Sequence, residues 1–168
     1  ALTYQTAYLK RYYPAEFMAA LMTTEMSDTE KLTKYISDAR AHGIQVLTPD
    51  VNHSERKFSV ERLADGTKAI RFGLEAIKGV GSSAVDAIIS TRVEKPFKNF
   101  IDFSKRVSTR KVNKKVLESL TVAGAFDSIA EVNRPSILAS LEKVLEAASD
   151  EQAEREMGQD RKSTRLNS

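Results

Sequence analysis

The sequence contains no cysteine and no tryptophan among its 168 residues, and only two histidines. Without cysteine there are no disulfides, thiolate metal centres or thiol nucleophiles. No apolar run approaches the roughly 18 residues that a membrane span needs, and no signal-peptide pattern opens the chain. Because His42 and His53 stand in no metal-ligand spacing, we expect no metal site. Together these absences predict a soluble protein of a reducing cytosol, with no membrane partner.

Charge is present in both signs, but it is unevenly distributed. The 26 basic and 23 acidic side chains give a net charge of +3. Residues 1–77 are neutral, residues 78–115 carry ten basic against three acidic side chains, and residues 116–168 carry six against ten. The local +7 favours a polyanionic partner for the central segment. A plain solvated surface is the alternative reading of the same charges.

Helical spacing dominates the first 43 residues. Pro14 suits the first turn of a second helix, where its missing N–H is not needed. Ser27 or Asp28 is expected to cap a third helix, and Gly43 to end it. The pattern predicts three consecutive helices, and their abrupt start without methionine suggests a fragment of a longer protein.

Beyond residue 43 the pattern predicts a small β-hairpin and then more helices. Two β-type segments flank Asp65-Gly66, a typical hairpin turn. From residue 73 to about 126, two helix–break–helix units with similar apolar stripes follow each other. One amphipathic helix is predicted over 136–157, and the tail 158–168 is predicted to be disordered. The fold class is therefore mostly α.

The strongest local signal is a Gly-hydrophobic-Gly turn between two apolar helical segments, the helix-hairpin-helix pattern of many DNA-binding proteins. Glycine permits positive φ and lets a phosphate approach the backbone, and the N–H groups that open the next helix attract anions. Such a site grips the sugar-phosphate backbone without reading sequence. A tight turn between helices with no ligand is the alternative. The predicted contacts are Lys78, Gly79, Val80, Gly81, Ser82 and Ser83.

The second break lacks glycine, so it is predicted to be a degenerate partner that keeps the packing and contributes charge. Its candidate phosphate contacts are Arg110, Lys111, Lys114 and Lys115, with plain solvation as the alternative for each. Near the start of the chain, tyrosines are candidates for stacking on bases or for the core and rim of a helix. They are Tyr4, Tyr8, Tyr12 and Tyr13.

Several segments of this sequence, in order and at consistent spacing, resemble the alpha subunits of bacterial DNA polymerase III, the replicative C-family DNA polymerases. The resemblance extends from residue 1 to about residue 160. The segments that carry it are Tyr4–Lys10, Tyr13–Leu21, Pro49–Asn52, Arg71–Gly81, Val112–Leu120 and Ala123–Asp127.

The resemblance implies a domain organisation. Residues 1–72 resemble the carboxy-terminal part of the fingers domain, in which Tyr4 and Lys10 would contact nucleotide or template. Residues 73–130 resemble a tandem helix-hairpin-helix domain that grips primer-template duplex. Residues 131–157 would form an acidic linker helix ahead of the tail.

The resemblance also implies an activity and partners. The family is a DNA-directed DNA polymerase, a nucleotidyltransferase of DNA replication whose Mg²⁺ ions are held by palm-domain aspartates. Those aspartates are not in this sequence, so we expect the chain alone to bind no cofactor and to be catalytically inactive. The remainder of the alpha subunit would be a partner. An error-prone paralogue acting in translesion synthesis, or a non-enzymatic helix-hairpin-helix DNA-binding or repair protein, is the alternative.

The end of the sequence departs from the family. Gln159 and Asp160 begin what resembles a clamp-binding motif, but no aromatic residue follows to complete it. Residues 160–168 instead resemble a translated sequencing-library adapter, so we expect this segment to be artefactual. The sliding clamp would then be a partner only of an intact parent protein.

Overall fold

A computed structural model describes the backbone of residues 2–166 and the side chains of residues 6–166. These residues form two compact units, one ending at Val80 and the other beginning at Gly81. The helices are α1 (Leu2–Tyr12), α2 (Pro14–Thr24), α3 (Thr29–Ala41), α4 (Ser82–Glu94), α5 (Phe100–Arg106), α6 (Lys114–Ala123) and α7 (Arg134–Leu166). The strands are β1 (Gln45–Leu47), β2 (Ser59–Arg62) and β3 (Lys68–Arg71). The mostly α fold with a small hairpin is confirmed.

The first unit contains the three predicted helices. Pro14 is the first residue of α2, as its fixed φ and missing N–H favour. Of the two candidate caps, Asp28 fills the position: its side chain accepts a hydrogen bond from the Lys31 N–H at 3.1 Å. The short polar side chain thus satisfies one of the unpaired donors that open α3.

The strands of the first unit form one mixed sheet in the order β1-β3-β2. The predicted hairpin is confirmed, since β2 and β3 are antiparallel with Val60 opposite Ile70. Within its turn, the Asp65 carboxylate accepts from the Thr67 N–H at 2.9 Å. Strand β1 pairs in parallel with β3, which gives the short extended segment after α3 its partner.

The core of the first unit lies between α2, α3 and the sheet. Helix α2 presents small and flexible apolar side chains to both neighbours, so that the helix approaches the strands closely. The fully or nearly fully buried members are Ala15, Met18, Ala19, Met22, Leu32, Ala39, Ile44, Phe58 and Ile70.

The core of the second unit is aromatic. The rings of Phe97 and Phe103 meet edge to face with centroids 4.7 Å apart, and Phe126 makes the same kind of contact with Phe100 and Phe103. Such geometry is favourable for aromatic pairs. Helix α7 packs along α5 and α6 and buries Ile137, Leu141 and Ala148. The acidic helix is therefore part of this unit's packing.

The segment before the glycine-rich turn differs from the prediction. A helix was expected over residues 74–77, whereas Leu74–Ala76 forms a single 3₁₀ turn. Gly73 just before it lies against the backbone of Lys57, where a Cβ would come within 2.6 Å of the Lys57 carbonyl carbon. The turn belongs to the first unit, so the observed division falls at residue 80 and not at the predicted 72. The assignment of these units to polymerase domains stays a prediction.

Helix α7 is longer than predicted. The sequence placed its end at residue 157 and a disordered tail over 158–168, but the helix continues through Gly158 to Leu166. The physical reason is local propensity: the extension contains glutamine, arginine, lysine and leucine, which are good helix formers. The i,i+4 ion pair between Glu151 and Arg155 supports the turn that precedes this extension.

Candidate nucleic-acid interface

The first hairpin, residues 77–82, turns between the 3₁₀ turn and α4. Gly79 has φ +92°, a region that residues with a Cβ enter only under strain. The Val80 N–H donates to the Ile77 carbonyl at 3.1 Å and the Val80 side chain is only 6% exposed, so this residue holds the turn in place. Gly81 is then the N-cap residue of α4.

Gly81 differs from the prediction that both glycines serve positive φ. Its φ of −86° and ψ of 170° are ordinary extended values, and a Cβ built there meets no described atom within 4 Å. The backbone therefore does not require glycine at this position. Glycine at this N-cap position instead leaves the start of α4 without a covering side chain, and it supplies no side-chain acceptor to cap the helix.

The second hairpin, residues 108–113, buries a valine at the equivalent position but forms a different type of turn. Val112 is 3% exposed and takes the position of Val80. No described residue other than glycine has positive φ, so the turn closes differently: the N–H groups of Lys111 and Val112 both donate to the Ser108 carbonyl, at 3.2 and 2.9 Å. An α-type turn thus replaces the glycine turn.

The two hairpins lead into their helices with nearly identical backbone. Asn113, the N-cap of α6, has φ −83° and ψ −178°, close to the values of Gly81. The buried positions repeat at the same spacing, Val85 and Ile88 in α4, Leu117 and Leu120 in α6. The hairpins are thus structural repeats offset by 32 residues, as the positions 81 and 113 show.

The two hairpins differ in the residue at the N-cap position. The Asn113 side chain accepts a hydrogen bond from the Val116 N–H at 3.1 Å, so α6 is capped by its own chain. Gly81 offers α4 no such acceptor. An incoming phosphate oxygen can take the capping position on α4, whereas on α6 it would compete with Asn113.

The basic side chains of residues 78–115 fall into distinct groups. The exposed side chains of Lys78, Lys111 and Lys115 make no hydrogen bond or ion pair with any residue that the structure describes. The predicted contacts Arg110 and Lys114 instead pair with glutamates of α7. Among the predicted phosphate contacts, only Lys78, Lys111 and Lys115 therefore direct their charge at solvent alone.

Arg106 is a structural cation. Its guanidinium donates to the backbone carbonyls of Thr91 and Lys95 at 3.2 and 2.7 Å and pairs with Asp102 at 3.2 Å. It also lies over the Phe97 ring, 5.0 Å from the centroid. Asp102 is partly buried, which raises its pKa, but its bonds to the Lys98 N–H and to Arg106 outweigh burial and hold the pKa below its ordinary value. Arg106 therefore fastens the connection between α4 and α5.

Lys114 and Glu142 form the shortest contact between the basic segment and α7. The Nζ–Oε1 distance is 2.6 Å. Their hydrogen bond raises the pKa of Lys114 and lowers the pKa of Glu142. Both groups are therefore charged at neutral pH, and each reduces the field of the other on the surface.

The remaining predicted contacts are not brought together. The side chain of Tyr4 lies outside the described residues. Lys10 is exposed and lines a cavity of about 170 Å³ in the first unit with Phe17, Tyr35 and Ile44 among its neighbours. Gln159 and Asp160 are exposed on the last turns of α7. The polymerase and clamp contacts of these residues stay predictions.

The tyrosines near the start of the chain are on the surface. Tyr8 and Tyr12 contact each other with ring centroids 4.7 Å apart, and Tyr13 lies 6.5 Å from Tyr8. All three are exposed, so within residues 6–166 they are surface rings and not core. Base stacking by them stays a prediction.

The described residues bring together no group of three side chains of the metal-binding type. Among the same residues, no helix has both the length and the apolar character that crossing a membrane requires.

Sequence reasoning missed the side chain that fixes the second hairpin, Gln152 of α7. Its Oε1 accepts from the Thr109 N–H at 3.2 Å, and its Nε2 donates to the carbonyls of Lys105 and Val107 at 3.2 and 2.9 Å. No local pattern marks a residue whose hydrogen-bond partners are 43 to 47 positions away. The capping role of Asn113 was readable, because asparagine directly before an apolar helix is an N-cap signal.

Comparisons with known proteins agree with this geometry. The helix-hairpin-helix motif family matches residues 43–137, more than half of the chain. DNA polymerase III subunit alpha of Thermus aquaticus is 49% identical over 150 residues, covering 89% of this chain and 12% of that protein. The subunit of Deinococcus radiodurans is 46% identical over 149 residues, covering 88% and 11%.

The corresponding subunit of Xylella fastidiosa strain Temecula1 is 41% identical over 159 residues, which are 94% of this chain. The chain spans only 13% of that relative's length. The similarity therefore covers nearly the whole of this chain and a small segment of each relative. By its fold, its paired hairpins and these matches, the chain belongs to the helix-hairpin-helix family and is similar to one segment of bacterial DNA polymerase III alpha subunits.

Proposed function

We propose that this chain binds the backbone of duplex DNA without sequence specificity, and that the first hairpin makes the main contact. The single observation that carries the proposal is Gly81: it begins α4 with no side chain at a position where the backbone accepts one. Glycine there leaves room for a phosphate oxygen at the helix start, where the N–H groups and the helix dipole favour an anion.

The charge of the side chains supports the same partner. Lys78 precedes the turn, and Lys111 and Lys115 flank the second hairpin. All three are exposed and form no ion pair with a described residue. Such cations attract phosphates at long range and release counterions on contact. No side chain of the first hairpin is long and planar in the manner that base recognition needs, so backbone contact without sequence readout is the expected mode.

We further propose that the chain acts as part of a DNA-directed DNA polymerase, in which residues 1–72 complete a fingers domain and residues 73–130 hold the primer-template duplex. The similarity to alpha subunits over nearly the whole chain supports this. Nucleotidyl transfer and its Mg²⁺ ions would belong to residues outside this chain, so the chain alone is expected to lack polymerase activity. The remainder of the subunit, and the sliding clamp in an intact parent, would be partners.

The test is duplex binding by the 168-residue chain over a salt series, with two duplexes of unrelated sequence. About three to six phosphate contacts would give a log–log slope of about −3 to −5. The two duplexes should bind with equal affinity. An affinity that ignores salt, or one duplex preferred strongly over the other, would contradict the proposal.

A further inference from the structure

Helix α7 places its acidic side chains opposite the cations of the second hairpin. Glu142 contacts Lys114 with 2.6 Å between Oε1 and Nζ, and Glu156 contacts Arg110 at 3.6 Å. The two glutamates are 14 positions apart, which corresponds to about 21 Å or four helical turns, so both project from the same side of α7. One helix face thus covers both candidate phosphate contacts.

The alignment of that face is fixed by uncharged contacts. Ile137, Leu141 and Ala148 bury one stripe of α7 in the core. Gln152 donates to the carbonyls of Lys105 and Val107, at and just after the end of α5, and accepts from the Thr109 N–H. The glutamates are therefore held beside the hairpin by packing and amide hydrogen bonds, which salt does not screen.

Charge counts show how α7 acts on the basic segment. Residues 78–115 carry a net charge of +7, whereas α7 holds seven acidic and six basic side chains, a net charge of −1. The helix therefore affects the basic segment through individual contacts and not through its net charge. Its carboxylates contact Arg110, Lys114 and, in α5, Lys105, while Lys111 and Lys115 have no partner among the described residues.

We infer that α7 is a built-in competitor of DNA at the second hairpin: Glu142 and Glu156 occupy Lys114 and Arg110 in place of duplex phosphates. This rests on the proposed duplex binding and adds its regulation. A duplex must displace the two carboxylates to gain these cations, so the second hairpin contributes less to affinity and to salt dependence than its charge count indicates. The exposed pairs are weak enough for such exchange.

The test compares two double variants of the full chain with equal charge change. Glu142→Gln with Glu156→Gln removes the competitors. Glu146→Gln with Glu154→Gln neutralises two exposed carboxylates of the same helix for which the structure describes no cation partner. Glu151 is left intact because it also supports α7 through Arg155. Duplex affinity and its salt slope are measured for both variants and the original chain.

We expect the first variant to bind duplex about threefold to tenfold more tightly. Removing each exposed ion pair that opposes binding should increase duplex affinity by roughly 1.5- to 5-fold. Its salt slope should steepen by up to about 2, since two further cations now release counterions. The control should gain less than about twofold with an unchanged slope.

Two results overturn the inference. Equal gains in both variants would mean that only net charge matters, and no gain in the first would mean that α7 does not compete. If the original chain and both variants all fail to bind duplex at low salt, the proposed function itself fails. Binding by all three with equal affinity and slope refutes only the role of α7.

Discussion

The two hairpins of this chain share their buried positions and backbone conformation at the helix start, and they differ in their turn and N-cap residues. Both place a buried valine in the turn, Val80 or Val112, and both begin the next helix from the same extended backbone. In the first, glycine turns the chain and leaves the helix start uncovered. In the second, an asparagine caps the helix from within and α7 pairs with the neighbouring cations.

The comparison teaches that packing and binding are separable in this motif. The apolar positions that hold a hairpin on its helix are kept in both copies. What changes is the N-cap position: Gly81 supplies no capping side chain to α4, whereas Asn113 caps α6 from within. The first hairpin is thus suited to binding an anion, and the second mainly to packing the unit and contributing positive charge.

Gly79→Val is expected to have the largest effect on the first hairpin. Valine at φ +92° is strained, and the free energy of unfolding should fall by about 2 kcal/mol. Duplex affinity should fall more than tenfold as the turn rearranges. The matched control is Lys111→Val, at the equivalent position without positive φ, which should leave stability nearly unchanged. Thermal unfolding and duplex titration measure both, and equal destabilisation would contradict the difference between the turns.

Arg106→Ala separates cations that hold the fold from cations available to DNA. Because the guanidinium binds two carbonyls, Asp102 and the Phe97 ring, its loss should cost about 2 kcal/mol of unfolding free energy. Lys98→Ala is the control, since that exposed side chain has no described partner, and it should change stability by less than about 0.5 kcal/mol. Similar stabilities in a urea titration would refute the structural role.

Asn113→Ala tests whether the second hairpin is capped from within. Loss of the bond to the Val116 N–H should lower stability by about 1 kcal/mol. Duplex affinity should change by less than about twofold, because the main phosphate contact is at the other hairpin. A large loss of affinity with unchanged stability would show that Asn113 contacts DNA directly.

The smallest expected effect distinguishes two neighbouring lysines. Lys115→Ala should reduce the salt slope of duplex binding by about 1, as expected for a cation that meets a phosphate. Lys114→Ala should reduce it less, because Glu142 already neutralises that charge. The slopes are read from titrations at several salt concentrations, and a larger effect at Lys114 would reverse the assignment.

Much of the fold was predictable because its signals are local. Pro14, Asp28 and the Asp65-Gly66 turn each determine a boundary by their own backbone preferences. The parallel pairing of β1 with β3 was not predicted, since its partners are 24 residues apart and no turn joins them directly. The extension of α7 beyond Gly158 was also missed, because one glycine outweighed the good helix formers around it.

The candidate site was predictable in its residues and less so in its roles. The two glycines and Lys78 of the first hairpin could be identified from the local sequence pattern. The pattern predicts that both glycines permit positive φ, but of these two only Gly79 has it. The engagement of Arg110 and Lys114 by α7 depends on contacts between residues 28 to 46 positions apart, which periodicity does not reveal.

The most direct test of the central claim is Gly81→Asn, which gives the first hairpin the cap of the second. The backbone accepts the side chain, and asparagine is at least as good an N-cap as glycine, so stability should not fall. Duplex affinity should fall about tenfold, because a charge-assisted contact worth roughly 1.5 kcal/mol is lost. Unchanged affinity in a stably folded variant would contradict the claim that the uncovered start of α4 binds the duplex backbone.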